Sequence, residues 1–284
     1  MIGFELPWLG TPNHWHSLIT IWAAQAWKHV YVEKPMSHDV GEGRIAVEAQ
    51  KKYGVVIQHG TQSRSSASIA GLHEAIQSGQ FGPLKISYGY CCKQRDSIGF
   101  KPISDPPQNL DWNLWRGPAV IDQFHGNYVH YNWHWFWKTG NSDLNNQGTH
   151  QLDIARGALD KELTHPVRAM AIGGRFAWND QGETPNTMMG IAEFPNGQQV
   201  FFNVRNVAGR FGDNKEAAEH FLKLHELMRD GVGVPEDGAE YTVGPWLTFD
   251  PATETHTGDF AKEANQLLKD PNRSGFEVPT SSNV

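Results

Sequence analysis

Cysteine is almost missing. The chain of 284 residues holds two, Cys91 and Cys92. Neighbouring residues on a strand point to opposite faces, so these two are not expected to pair. A disulfide scaffold and a cysteine-based zinc module are both excluded. Basic residues are in deficit, 24 Lys and Arg against 31 Asp and Glu, for a net charge of −7. Phosphate neutralisation needs the opposite balance, so nucleic acid is not an expected partner. No apolar run approaches the roughly 18–20 residues of a membrane-spanning helix, so no membrane partner is expected. The opening Met1-Ile2-Gly3-Phe4-Glu5 lacks the basic stretch of a secretory signal. Charged residues make up 19% against 39% hydrophobic, a balance that fits a packed core rather than a disordered chain. Tryptophan and histidine, in contrast, are abundant and clustered, with 11 Trp and 14 His.

The first 82 residues alternate helix and strand signals. Leu18 to Ala26 reads as a helix, and His29-Val30-Tyr31-Val32 as a short buried strand. Ser37 or Asp39 can cap a helix that runs to Lys52 or Tyr53 and stops at Gly54. Val55-Val56-Ile57 is a second strand signal. Residues 69–78 form a third helical pattern, with Leu72, Ala75 and Ile76 on one face. Strand–helix alternation with short links predicts a parallel sheet. From residue 83 the pattern changes. Residues 84–92 read as a long strand, 96–120 as an irregular loop and 144–159 as one helix. Three strand signals follow, 167–176, 188–194 and 199–204, the last two joined by an Asn196-Gly197 hairpin turn. The expected fold is therefore α/β plus α+β, a partial Rossmann-like parallel sheet (1–82) followed by a domain with a mostly antiparallel open sheet (83–212). Residues 213–284 read as an amphipathic helix over 215–229 and an irregular tail, with a further short helix near 259–269.

Three stretches carry chemistry. Glu33-Lys34-Pro35 directly follows a strand, at the carboxyl edge where open α/β sheets bind ligands. A lysine there can exchange a proton or orient a hydroxyl; its plain alternative is a surface ion pair. Asn146 and His150 stand four apart on one expected helix face, and Asp153, three further on, can orient the imidazole. The alternative is a histidine satisfied locally at a helix start. The run Trp133-His134-Trp135-Phe136-Trp137, preceded by Asn132, offers rings and amides to a sugar, or else forms a core segment. No His-Glu-x-x-His is present, and no metal is expected. Gly41-Glu42-Gly43-Arg44-Ile45-Ala46 matches a loose dinucleotide fingerprint, but it lies within a helix signal and is read as chance.

Together with Thr11-Pro12-Asn13-His14-Trp15-His16, Gln58-His59-Gly60-Thr61-Gln62-Ser63-Arg64 and Leu114-Trp115-Arg116-Gly117-Pro118, these segments resemble the glucose–fructose oxidoreductase / inositol dehydrogenase / MocA (Gfo/Idh/MocA) family. The resemblance spans residues 11–205. It implies an N-terminal Rossmann domain and a C-terminal α/β domain with a large, mostly antiparallel sheet. It implies oxidation or reduction of a sugar or cyclitol carbinol with NAD or NADP; some relatives cleave glycosides through oxidation, elimination and re-reduction. Carried over, Lys34 and His150 are the catalytic pair. Thr11, Pro12, Asn13, His16 and Glu33 line the cofactor cleft, and Gln62 and Arg64 lie near its nicotinamide end. Trp115, Arg116, Asn132, Trp133, Trp137, Asn146 and Asp153 shape the sugar pocket. A homo-oligomer through the open sheet face is implied as well. The compartment stays open, cytoplasmic or exported.

The sequence departs from the resembled pattern in four places. Only ten residues precede Thr11, so the strand–GxGxxG–helix unit that holds the pyrophosphate on backbone N–H groups is not found. The second sheet reads as shortened after Val207. Trp27 stands where a helix-ending glycine is usual, at an expected cost of about 1 kcal/mol in the left-handed region. Asn146 replaces an aspartate of the inositol dehydrogenase type. Two readings follow: an NAD(P)-dependent sugar or cyclitol oxidoreductase, or a non-catalytic carbohydrate-binding relative that has lost its nucleotide site.

Overall fold

A computed structural model describes residues 8–207 and 242–284. Three short strands, β1 (Trp8–Leu9), β2 (Val30–Val32) and β3 (Ile57–His59), form a parallel sheet in that order. Helices α1 (Asn13–Gln25) and α2 (Val40–Tyr53) make the crossovers. Leu18, Ile21 and Ala24 of α1 pack with Ile45, Ala46 and Ala49 of α2 in one core. The expected punctuation of α2 is present. The Asp39 carboxylate accepts from the Glu42 N–H at 2.8 Å, and Gly54 closes the helix at φ 63°. Trp27 does adopt the left-handed conformation, at φ 58°. Its ring meets Tyr53 edge-on at 5.4 Å, which offsets part of the backbone cost. The strand expected at 55–57 begins two residues later; the Val56 N–H donates to His29 Nδ1 at 2.9 Å instead of to a neighbouring strand.

The second sheet has seven described strands: β4 (Ile86–Cys91), β5 (Arg168–Gly174), β6 (Thr187–Glu193), β7 (Gln199–Arg205), β8 (Thr242–Val243), β9 (Leu247–Asp250) and β10 (Thr255–Thr257). Their order is β10-β9-β5-β6-β7-β4, with β8 also on β5. Every pair is antiparallel except β4 with β7. This is the parallel-plus-mostly-antiparallel architecture that the patterning predicts. Gly197 turns the β6–β7 hairpin at φ 80°. Cys91 is buried and Cys92 exposed, both as free thiols.

Three expectations are corrected, and one apolar helix face is left open. The single helix over 144–159 is two, α5 (Ser142–Asn146) and α6 (Gly148–Gly157). The break at Gln147 lets Gly148 pass against the sheet, where a Cβ would stand 2.5 Å from the Phe202 ring. The irregular loop at 96–120 contains a short helix, α4 (Trp112–Arg116), capped by Asp111. The apolar face of α3 (Ala67–Gln77) is not buried; Leu72 is 47% exposed. The tail is not irregular, since β9 and β10 extend the sheet and α7 (Ala261–Gln266) falls within the span expected for a short helix. The helix expected over 215–229 lies outside the described residues.

After α7 the chain returns to the first sheet. Val278 and Val284 join the α1–α2 core. The Asp270 N–H donates to Asp39 at 2.9 Å, and the Gly41 N–H donates to the Leu268 carbonyl at 2.7 Å. Gly41 and Gly43 thus lie in the first turn of α2, where Asp39 and this returning segment occupy the backbone donors. The dinucleotide-like match is a chance one. Arg273 donates to the Gly117 carbonyl at 2.8 Å and to Asn113 Oδ1 at 2.7 Å, and so fastens the α4 loop to the same segment.

Two stability predictions follow from these contacts. Gly117 sits at φ 46°, and a Cβ there would stand 2.2 Å from the Trp15 indole. Gly117→Ala combines a disfavoured backbone with overpacking and is expected to cost about 3 kcal/mol or more, read as a drop of roughly 5–10 °C in melting temperature. Glu42 is 2% exposed, and burial, then the Asp39 charge, pushes its carboxyl up to about 7 from an ordinary 4.5. The folded state therefore holds an extra proton between those values, and stability falls as pH rises through that window. Glu42→Gln removes this loss, so urea denaturation should show the variant gaining roughly 1–3 kcal/mol on the wild type between pH 5 and pH 8.

Candidate functional site

The parallel strands end at one edge, and that edge carries the candidate residues. Gly10-Thr11 follows β1, Glu33-Lys34 follows β2, and Gly60-Thr61 follows β3. The Lys34–Pro35 peptide is cis. Glu33 folds back so that its carboxylate accepts from the Lys34 N–H at 3.2 Å. The Lys34 ammonium donates to the Asn146 backbone carbonyl and, at 3.2 Å, to Asn146 Oδ1. Burial lowers the Lys34 ammonium from its ordinary range, against the pull of the Glu33 and Asp143 carboxylates.

Asn146 is itself held from behind. Its amide donates to Asp143 Oδ1 at 2.9 Å and to the Tyr131 hydroxyl at 3.0 Å. Asp143 is fully buried and binds Arg95 through both oxygens, each at 2.8 Å, and accepts from Asn206 as well. The Arg95 guanidinium lies over the Tyr131 and Trp135 rings at 5.4 and 5.3 Å. The sequence reading missed Asp143, Arg95 and Asn206. Asp143 precedes Asn146 by three residues, a spacing that could have found it. Arg95 and Asn206 follow strand ends in no local pattern.

His150 opens α6 and is partly buried, with Nδ1 unpartnered. Burial first, then the Lys34 ammonium, lowers its imidazole below the ordinary range. Asn146 and His150 lie on successive helices rather than on one face. Asp153 does not orient His150. It takes a two-pronged ion pair from Arg64, with Nε to Oδ2 at 2.7 Å, which a neutral imidazole cannot match. Gln62 and Arg64 form an exposed 3₁₀ turn with their neighbours. His16 is 1% exposed, and its ring nitrogens face the Pro35 carbonyl at 2.5 Å and the Thr11 carbonyl at 2.7 Å, a tie between two strand-end loops. Thr11 Oγ1 and Asn13 Nδ2 are buried with no protein partner, as are His59 Nε2 at the end of β3 and Gln151 Oε1 in α6. Pro12 precedes α1 as its N-cap.

The aromatic stretch divides between core and surface. Trp135 and Phe136 are 4% and 2% exposed, whereas Trp137 is 49% exposed. Trp133 stacks on His134 at 3.6 Å. Trp115 stacks on Trp112 at 5.1 Å, and its carbonyl accepts from His14 and Trp15. Arg116 donates to the Ile121 carbonyl at 2.7 Å, and Asn132 to Asn127 at 3.4 Å. None of the strand-to-helix junctions among the described residues is glycine-rich, and none of their helices is long and apolar enough to cross a membrane.

Comparison with known proteins agrees with this architecture. The family model described as "Oxidoreductase family, NAD-binding Rossmann fold" matches residues 4–61. Its companion, "Oxidoreductase family, C-terminal alpha/beta domain", matches residues 69–177. The chain is similar to 1,5-anhydro-D-fructose reductase of Ensifer adhaerens, 32% identical over 65% of this chain and 45% of that protein. It is also similar to levoglucosan dehydrogenase of Pseudarthrobacter phenanthrenivorans, 25% identical over 52% of this chain and 31% of that protein. The chain thus spans less than half the length of these relatives. Among solved structures, the WlbA dehydrogenase from Bordetella pertussis, in complex with NADH and UDP-GlcNAcA, superposes with a TM-score of 0.55. That match covers 74% of this chain and 55% of the other, and at 20% identity the likeness is one of fold.

The lowered imidazole gives a direct test of how close Lys34 and His150 stand. An NMR titration should place the His150 midpoint below that of a free histidine, and Lys34→Ala should raise it by removing the neighbouring ammonium. A midpoint indifferent to Lys34 would separate the two residues.

Proposed function

Because the chain belongs to the Gfo/Idh/MocA oxidoreductase family, we propose that it carries out NAD(H)-linked oxidation or reduction of a carbinol on a sugar-like or cyclitol substrate. On this reading residues 1–82 serve the nucleotide and residues 83–212 the substrate. The observation that carries it is the hydrogen bonding of Lys34, at the carboxyl edge of the parallel sheet, to Asn146, with His150 four residues beyond Asn146. When bound, the nicotinamide takes up or delivers the hydride.

The chain's own residues supply proton handling and orientation. Lys34 spends two of its three N–H bonds on Asn146, which leaves one for the oxygen at the reacting carbon. His150, its imidazole lowered by burial and so biased to the neutral form, accepts the hydroxyl proton in the oxidative direction and returns it in reduction. The buried, unpartnered Thr11 Oγ1 and Asn13 Nδ2 fit a polar ligand along this edge and, with Glu33, would hold the reactive end of the cofactor. Trp133, Trp137 and Asn132 offer rings and an amide to a sugar.

One observation favours the second reading, a carbohydrate-binding relative without catalysis. No strand-to-helix junction among the described residues offers the glycine-rich cradle that a pyrophosphate uses. Calorimetry of the chain with NADH and NADPH separates the two. The oxidoreductase reading expects binding in the micromolar range that weakens roughly 10–100-fold in Lys34→Ala, the cost of losing a hydrogen bond from a charged group. A folded, monodisperse chain that binds neither nucleotide would leave only the second reading.

A further inference from the structure

The hydrogen bonds behind Lys34 carry a further assignment, one that rests on the reading of Lys34 as an acting residue. We propose that Asp143 is a positioning residue for Lys34, acting through the side-chain amide of Asn146.

The argument starts from the two ends of that amide. An ammonium can bond to the oxygen of Asn146 and not to its NH₂ group. The amide must therefore present its oxygen to Lys34, and something must hold the nitrogen on the other side. Asp143 Oδ1 and the Tyr131 hydroxyl do so, at 2.9 and 3.0 Å. Of the two, only Asp143 is obliged to accept, because an ionised carboxylate has no proton to donate, whereas a hydroxyl can turn and donate instead. Asp143 cannot turn away. Arg95 grips both of its oxygens, and Asn206 takes Oδ2. The carboxylate is thus fixed, it fixes the amide, and the amide fixes one hydrogen bond of the lysine, beside the one that the Asn146 backbone carbonyl accepts. No charge sits on Asn146 itself, yet a full negative charge stands directly behind it.

The electrostatics run the same way. The charges that act most on Lys34 are Glu33 and Asp143, which favour the ammonium, and Lys93 and Arg95, which oppose it along with burial; the imidazoles of His16, His134 and His150 also interact with it. Removing the Asp143 charge leaves the Arg95 guanidinium uncompensated beside the site, so both changes push the lysine towards the neutral amine. A purely structural role for Asp143, clamping α5 against the ends of β4 and β7, predicts the reverse. If the site merely loosens, Lys34 gains water and moves back up towards the range of a free lysine.

The sign of that shift is the test, and it needs no cofactor. Pulse acetylation with acetic anhydride at a series of pH values, read by mass spectrometry, gives the titration midpoint of Lys34, with the half-exposed Lys138, paired to Asp270, as internal reference. In Asp143→Asn the Lys34 midpoint is expected to fall, and its acetylation at a fixed pH near 8 to rise roughly threefold or more relative to Lys138. A midpoint that stays or rises overturns the proposal. Should Asp143→Asn fail to fold, Asn146→Ala keeps the Asp143–Arg95–Asn206 cluster and cuts only the link. There the Lys34 midpoint must also fall, because an acceptor for the ammonium is lost, and an unmoved midpoint overturns the proposal equally. Failure of NADH to bind would remove the oxidoreductase reading while leaving these midpoints as measured, so the two failures are distinguishable.

Discussion

Asp143 has no exposed surface, and an unpaired carboxylate in such a place would cost several kcal/mol. Its neutralisation organises the second sheet. Arg95 follows β4 and Asn206 follows β7, the one parallel pair among the described strands of that sheet, and the Arg95 N–H also donates to the Asn206 carbonyl at 2.9 Å. Both side chains converge on Asp143, so α5 is drawn onto the ends of two neighbouring strands. Helix α6 begins two residues after α5 ends and lies on the same face, with Leu152 and Ala155 against Phe194 and Val200. The position of His150 is set by that docking. A pair of this kind contributes less through net stability than through geometry, since breaking it leaves a buried charge without a partner.

Much of this was legible locally. Asp39 and Gly54 bracket α2 because a cap and a left-handed stop are chemical requirements that one residue can meet. The left-handed Trp27 and the Asn196-Gly197 turn were legible for the same reason. Lys34 and His150 could be found because each sits beside a structural boundary, a strand end or a helix start. What stayed hidden is long-range. Arg95 and Asp143 are 48 residues apart, and Asn206 and Asp143 are 63 apart, with no periodicity to connect them. The break between α5 and α6 was hidden because apolar spacing runs through it unchanged. The strands beyond residue 241 were hidden because Thr-, Gly- and Pro-rich sequence reads as loop until a sheet edge is there to pair with.

The aromatic segment shows why a composition argument stalls between two readings. Rings in sequence need not share an environment. Around the 3₁₀ turn Asn132–Trp135 the backbone changes direction, so Trp135 and Phe136 enter the interior while Trp137 stays at the surface. Core formation and ligand contact can thus be served by adjacent residues. The same division holds in the Leu114–Pro118 segment, whose backbone carbonyls serve α1 while Trp115 packs among Trp112 and Tyr128.

The returning C-terminal segment has a consequence for the order of assembly. Lys52 of α2 bonds to the Val284 carbonyl across 232 residues, and Trp15 packs against Phe276 at 5.5 Å. The helical layer over the parallel sheet therefore lacks part of its wall until residues 276–284 have been synthesised. At about 5–20 residues per second, α1 and α2 wait roughly ten seconds or more on the ribosome with their apolar faces incompletely covered. Closing a loop of that length is a slow, high-contact-order event. The parallel sheet is thus made before the mostly antiparallel one and finished after it.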